Sequence, residues 1–448
     1  MSLKAAEAKF LSVDTYALIV LGRRLPRFEY SADELARVEE AFQRWGRLKQ
    51  ECQIYGYHTG FGSNVDLPPI STSGKHQLEL LDFLRVGRGP LLPESVVRRA
   101  LKLQLRKVTQ GLSAISPAVF CRLVELANSE DLPDVPAYGS LGASGDLIPM
   151  AHAVAPVFRD NSIEQIGDRD VLGLVNTNAM MSSWALELLD KVSGLFSKGL
   201  QLSARVAVAI NSRGESFGAS GFVHRAVDCA VRRVAELLEG YFREYGGAKS
   251  GATRLQDRYS VRCAPQVYGN ALELIKIAEG LIFRESVAVA DNPLVLQDSV
   301  WHGGHFYSAQ LASAADLLIS ILVRMADISD RQGFLLVDAK ESDGLADNLY
   351  FKDCGHVKGL HQLVNALMQR VRALATTSWQ VTSSAEGNNQ DVLPGTMTVL
   401  NCVGDLLPLV EEITNIVTFM AERGCQLRLL GHVLPSHSLE AWREGTRR

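Results

Sequence analysis

The chain has 448 residues, 47% of them hydrophobic, enough to enclose a large core in one domain or two. Its 46 basic and 50 acidic residues leave a net charge of -4, and no basic run or basic-aromatic stripe occurs, which argues against a nucleic-acid partner. Seven cysteines at 52, 121, 229, 263, 354, 402 and 425, with no CxxC pair, fit reduced thiols in a cytoplasmic protein.

The first segment, MSLKAAEAKFLSVDTYALIVLGRR, lacks the order of charge, apolar run and cleavage site that marks a signal peptide. No apolar run reaches the roughly 18 residues of a membrane span. Ser31-Ala32-Asp33-Glu34 reads as a capping box that opens a helix over ELARVEEAFQRWGRLKQ. The glycine- and proline-rich stretch 55–75 predicts a long loop. Helical spacing resumes at HQLELLDFLRVG and at PESVVRRALKLQLRKVTQG. Past residue 195 the predicted helices lengthen, over 270–290, 309–331, 359–384 and 394–430, each with apolar residues three and four apart. The expected fold is mainly α. A long-helix bundle over 196–448 follows an N-terminal domain, 1–195, that carries the special segments described next.

Polar, glycine-rich patches interrupt the helices: VNTNA (175–179), LQDRYSVRCAPQVYG (255–269), ADNPLV (290–295), WHGGHFYS (301–308) and SAEGNNQDV (384–392). A bundle does not need them, and loops on rigid scaffolds are where function collects. No metal site is expected. His302 and His305 are the tightest histidine pair, His356/His361 and His432/His437 are five apart, and no HExxH or cysteine–histidine set occurs. GSLGASG (139–145) is not a phosphate loop, because neither a preceding parallel strand nor GKS/T is present. It is not a hydrolase elbow either, since Asp146 stands where GxSxG requires glycine. Chemistry by the backbone remains. Ala143, Ser144 and Gly145 have the small side chains that would let the Gly145 nitrogen reach the Ala143 carbonyl in a compressed turn. Loss of the Ser144 hydroxyl would then leave an exocyclic methylene. A flexible glycine turn satisfies the same pattern.

GSLGASGDLIPMAH resembles the cofactor-forming segment of the aromatic amino acid ammonia-lyases and aminomutases. YGYHTGFG, QDRYSVRCAPQ, DNPLV, GGHF and NNQDV resemble further motifs of that family, in family order from 55 to 392. The resemblance implies a methylidene-imidazolone formed from Ala143, Ser144 and Gly145, with no metal, in a homotetramer whose sites combine loops of several subunits. It implies Tyr55 as the base for the substrate β-proton, with a pKa lowered by its surroundings. Arg262 would clamp the substrate carboxylate, and Tyr259 would handle the amine proton. Asn176, Gln256 and Asn292 would hydrogen-bond cofactor or substrate. Phe306 would pack beside the ring system, and Glu386, Asn389 and Gln390 would lie near the amine.

Phe83-Leu84 stands where phenylalanine-type members have Phe-Leu, tyrosine-type members His-Leu and histidine-type members Ser-His. An apolar residue leaves a phenol or imidazole without a partner. Elimination of ammonia from phenylalanine is therefore expected. An aminomutase, a tyrosine or histidine lyase, and a non-catalytic relative are the alternatives. The chain departs from the family pattern at His58, Thr177-Asn178, Ala290 and His305, at His224-Arg225-Ala226-Val227 in place of HPGQ, and in its short C-terminus. His58 and His305 are expected to add polar contacts for an unusual aryl group.

Overall fold

The computed structural model describes residues 27–69, 73–159, 165–222, 229–247, 254–352 and 354–445. The N-terminal apolar run and the segment in place of HPGQ lie outside them. The first helix, α1 (Ala32–Glu51), starts at the predicted box: Glu34 N–H donates to Ser31 Oγ at 3.2 Å and Ser31 N–H to Glu34 Oε2 at 2.8 Å. Its apolar face buries Val38, Ala41, Trp45 and Leu48. The predicted loop follows, its described residues 55–69 holding the one-turn helix Gly62–Asn64, and its last predicted residues, 73–75, already belong to the next helix. Next come α2 (Ser73–Leu84), α3 (Glu94–Val108) and α4 (Pro117–Asn128). Strands β1 (Arg88–Leu91) and β2 (Pro136–Tyr138) pair antiparallel. The glycine segment then leads into α5 (Leu147–Val154) and the single turn α6 (Leu172–Val175).

The bundle is built from α7 (Ala179–Ala209), α8 (Cys229–Glu244), α10 (Ala264–Val287), α11 (Ala309–Val337), α12 (Lys358–Leu374) and α14 (Thr396–Leu430). The short α9 (Tyr259–Arg262) precedes α10, and α13 (Ser378–Val381) precedes α14. Helices α7, α11 and α14 pack on one another, α10 on α7 and α11, and α12 on α11 and α14. Residue 195 falls within the 31-residue α7, which also packs on α3 and so joins the two halves of the chain. The helical stretch predicted over 359–384 breaks after Leu374. Thr377 caps a new turn through Gln380, whose Oε1 accepts from Thr377 N–H at 2.9 Å, and Ser378 is tied to Asp316. The local reason is the run Thr376-Thr377-Ser378, whose hydroxyls favour capping over helix interior. Pro265 sits in the first turn of α10, where its missing N–H costs nothing, and the helix starts earlier than the apolar spacing suggests. Strands β3 (Leu294–Val295) and β4 (Val300–Trp301) form a small hairpin that carries the DNP and GGHF segments. It is anchored by the buried pair Arg169–Asp291 at 3.0 Å. Burial pushes the Asp291 carboxyl up to about 6 against the pull of Arg169.

Candidate active site

The glycine segment forms a tight turn before α5. Gly142 (φ +76°) and Gly145 (φ +75°) are both left-handed, a conformation that L side chains resist. Ser140 Oγ accepts from Gly142 N–H at 3.3 Å and donates to Gly145 O at 3.2 Å, bracing the turn from within. Ser308 Oγ donates to Gly142 O at 2.9 Å from outside. Gly145 is seated on the backbone of Thr177: a Cβ there would lie 2.8 Å from the Thr177 carbonyl carbon and 2.9 Å from its nitrogen. The Thr177 oxygen also accepts from Asp146 N–H at 2.5 Å. The buried Asp146 Oδ2 accepts from Met180 and Met181 N–H at 2.7 and 3.0 Å, capping α7 from another segment. Burial pushes its carboxyl well up, and a negative charge at a helix N-terminus offsets part of that cost.

Ser144 faces a cavity of about 400 Å³. Asn176 Nδ2 donates to Ser144 O, and Gln390 Nε2 to Ser144 Oγ, both at 2.9 Å. Eleven of the sequence-predicted residues line this cavity: Tyr55, Phe83, Leu84, Ala143, Ser144, Asn176, Asn292, Phe306, Glu386, Asn389 and Gln390. Gly145 lies behind the wall, against Thr177. Phe83 is 56% exposed while Leu84 is buried, so Phe83 is a wall residue and not a core aromatic. Glu386 holds the far side together, accepting from Asn389 Nδ2 at 3.0 Å and Gln390 Nε2 at 3.1 Å. Asn292 Oδ1 accepts from Gly303 N–H at 2.9 Å and spans the hairpin loop.

The Tyr55 hydroxyl accepts from Gly62 N–H at 2.8 Å, and Tyr55 N–H donates to His302 Nε2 at 3.1 Å. Contrary to expectation, the surroundings raise the Tyr55 pKa. Burial is the main cause and the Glu386 carboxylate adds to it, while only the Gly62 N–H favours the phenolate. Gly62 itself is left-handed at φ +59°, and a Cβ there would lie 2.8 Å from Glu386 Cδ.

Tyr259, Arg262 and Gln256 are not brought to this cavity. Arg262 and Gln256 line a second cleft that shares no lining residue with the first, beside Arg213 and Asp257, and Tyr259 stands next to Arg262. There Arg262 Nη1 donates to Gln256 Oε1 at 2.9 Å, and the guanidinium lies 5.7 Å from the Tyr259 ring centre. Tyr259 is 72% exposed.

The expectation for His58 and His305 is also corrected. His58 Nδ1 accepts from Ile54 N–H at 3.0 Å, and His305 sets its edge to Trp301 at 4.5 Å. Neither lines the cavity, because local backbone and ring contacts claim both imidazoles. Among the wall residues that sequence reasoning missed are Phe61, Val65, Leu80, Tyr307 and Asp391. Leu80 had a signal, since it lies one turn before Leu84 on the same helix. The loop residues had none. Asp391 joins Glu386 as a second carboxylate, and no Lys, Arg or His is among the described lining residues. No described cluster of His, Cys, Asp and Glu has the arrangement of a metal site, and no described helix is long and apolar enough to cross a membrane.

The sequence profile of the family described as "Aromatic amino acid lyase" matches residues 11–165 and 158–447. The chain belongs to this family. Among its relatives, the histidine ammonia-lyase of Idiomarina loihiensis is 31% identical, over 65% of this chain and 62% of that one. The tyrosine 2,3-aminomutase of Myxococcus sp. (strain Mx-B0) is 28% identical over 92% of this chain and 88% of that one. The chain spans 62% to 72% of the length of the first three histidine ammonia-lyases it matches. The fold of this lyase-family chain is that of the Pantoea agglomerans phenylalanine aminomutase, with a TM-score of 0.82 at 21% identity, covering 100% of this chain and 92% of that one.

Proposed function

We propose that this protein removes ammonia from an aromatic L-amino acid, phenylalanine foremost, and releases an arylacrylate. The observation that carries the reading is Ser144, held between two left-handed glycines at the wall of an apolar cavity that also receives the Tyr55 hydroxyl. The residues fit a methylidene-imidazolone formed from Ala143, Ser144 and Gly145. Gly145 is seated where any Cβ would collide, Asn176 already donates to the Ser144 carbonyl, and Asn176 Oδ1 and Gln390 Oε1 are buried without a partner. When formed, that ring supplies an electrophile for the substrate amine.

The chain's own residues do the rest. Tyr55 takes the β-proton at its hydroxyl oxygen. The resting phenol is protonated, so turnover requires positive charge or a bound ligand to stabilise the phenolate. Glu386 and its partners Asn389 and Gln390 attract the ammonium end. Phe83 and Leu84 receive the aryl ring and offer no hydrogen bond to a hydroxyl or imidazole. A substrate carboxylate finds no cation among the described lining residues of this cavity, and a carboxylate buried without one is costly. Arg262, with Tyr259 and Gln256 beside it, supplies that cation from another copy of the chain, which supports a homotetramer with composite sites. The scattered, unpaired described cysteines fit a cytoplasmic enzyme.

A second reading is migration of the amine to the β-carbon. The likeness to a tyrosine 2,3-aminomutase over 92% of this chain supports it. Incubation with phenylalanine, tyrosine and histidine together, followed by chromatography and mass spectrometry, tests both. An arylacrylate with free ammonia is expected, a β-amino acid identifies the mutase, and three unchanged substrates overturn the proposal.

A further inference from the structure

Beneath the glycine turn, α3 sends one ammonium into the core. Lys107 is buried, and its Nζ donates to Asn178 Oδ1 at 2.8 Å, Glu285 O at 2.9 Å and Ala288 O at 2.6 Å. Those three acceptors match the three protons of its charged form, which burial opposes, pulling the pKa down to about 7, and which the Glu285 and Asp146 carboxylates favour. Asn178 is wholly buried and donates its Nδ2 to Glu285 Oε2 at 2.5 Å. It is also the cap residue of α7, yet its side chain makes no cap bond. An asparagine there normally turns onto the first amides of its own helix. Lys107 and Glu285 hold it away, and Asp146 caps α7 instead. The backbone just before α7 is therefore pinned by contacts from α3 and α10. It is the same backbone on which Gly145 is seated: the Thr177 oxygen holds Asp146 N–H, and no side chain fits between Gly145 and Thr177.

We propose that Lys107 is a positioning residue for cyclisation of the Ala143–Ser144–Gly145 turn: through Asn178 it fixes the Thr177 carbonyl that seats Gly145. The inference rests on the proposed function, in which this segment cyclises. Closure forms a bond from the Gly145 nitrogen to the Ala143 carbonyl carbon. The carbonyl oxygen leaves as water with the amide protons of Gly145 and Ser144. The Ser144 hydroxyl leaves as a second water with the Ser144 α-proton. Nothing is oxidised or reduced, so the demand on the protein is geometric. A turn free to relax spends less time compressed, and the closure rate falls in proportion. Lys107 touches no wall of the cavity, so its effect is on maturation and not on substrate contact.

The test is intact-mass spectrometry of folded, full-length protein, sampled over time after synthesis. The wild type is expected to lack the mass of two waters. Lys107→Met should slow the appearance of that deficit by about tenfold, the equivalent of about 1.4 kcal/mol on the barrier. Leu101→Ala, a core truncation on the same helix, should lower the melting temperature and leave every folded chain dehydrated. A merely structural Lys107 would behave like Leu101. Folded Lys107→Met chains that are dehydrated at the wild-type rate overturn the inference while leaving the proposed function intact. A wild type that carries no deficit overturns the proposed function itself. If Lys107→Met does not fold, Asn178→Ser, which cuts the relay and leaves the two carbonyl bonds of Lys107, decides by the same measurement.

Discussion

Replacing Gly145 by alanine probes the turn most directly. Its φ of +75° costs an L residue about 1–2 kcal/mol. The added Cβ would also lie 2.8 Å from the Thr177 carbonyl carbon, where carbon pairs prefer about 3.5–4.0 Å. Relief requires a shift of about 1 Å, and the obstacle is backbone that cannot rotate away. Moving it breaks the 2.5 Å bond from Asp146 N–H to Thr177 O, a buried bond whose loss costs about 1–3 kcal/mol. Gly145→Ala should therefore destabilise by about 2–5 kcal/mol in sum and block dehydration of the segment. Gly142→Ala is the comparison. It has the same backbone sign at φ +76°, but its Cβ meets Ser308 Oγ at 2.8 Å, Thr396 Oγ1 at 2.9 Å and Thr396 Cβ at 3.0 Å, side-chain atoms rather than backbone. It should cost less and leave partial dehydration. The assay pairs intact mass with thermal melting at one fixed protein concentration, since oligomers melt with concentration dependence. Gly145→Ala protein that is fully dehydrated and melts with the wild type would refute the reasoning.

Tyr55→Phe should keep the mass deficit and lower kcat by about 10²–10⁴-fold; a loss of the deficit would show a structural defect instead. Because burial and Glu386 raise the Tyr55 pKa, the pH profile of kcat/KM should climb on the alkaline side. Glu386→Gln removes a negative charge that opposes the phenolate, so the inflection should move to lower pH; an unmoved inflection assigns it to another group. Phe83→His should shift kcat/KM toward tyrosine by about tenfold or more, read by competition between the two amino acids, and no shift would place the aryl group elsewhere. Arg262→Ala chains and Tyr55→Phe chains should each be inactive alone and regain activity when co-expressed, since mixed assemblies contain intact composite sites; no recovery would mean that each site is completed within one chain.

Local physics made much of this protein legible before folding. The capping box at Ser31, the long helices with apolar spacing and the glycines around Ser144 each express a constraint that acts within a few residues. Nine of the eleven predicted side chains that meet at the cavity sit in patches whose composition a helix bundle would not choose; Phe83 and Leu84 come from the end of α2 and were marked only by the family resemblance. Tertiary structure alone decided three things. Arg262 and Gln256 line a separate cleft and Tyr259 stays beside Arg262, since one chain cannot fold α9 onto the glycine turn while α9 packs on α10 and α11. His58 and His305 turn to a backbone amide and an indole, partners that no sequence spacing announces. The Tyr55 pKa rises where a base was expected to have it lowered, because desolvation and the Glu386 field sum over neighbours from 331 positions away in the chain. Periodicity, caps and small residues are short-range properties that a sequence carries on its face. Burial, charge environment and the meeting of distant loops are sums over space, and only the folded chain performs them.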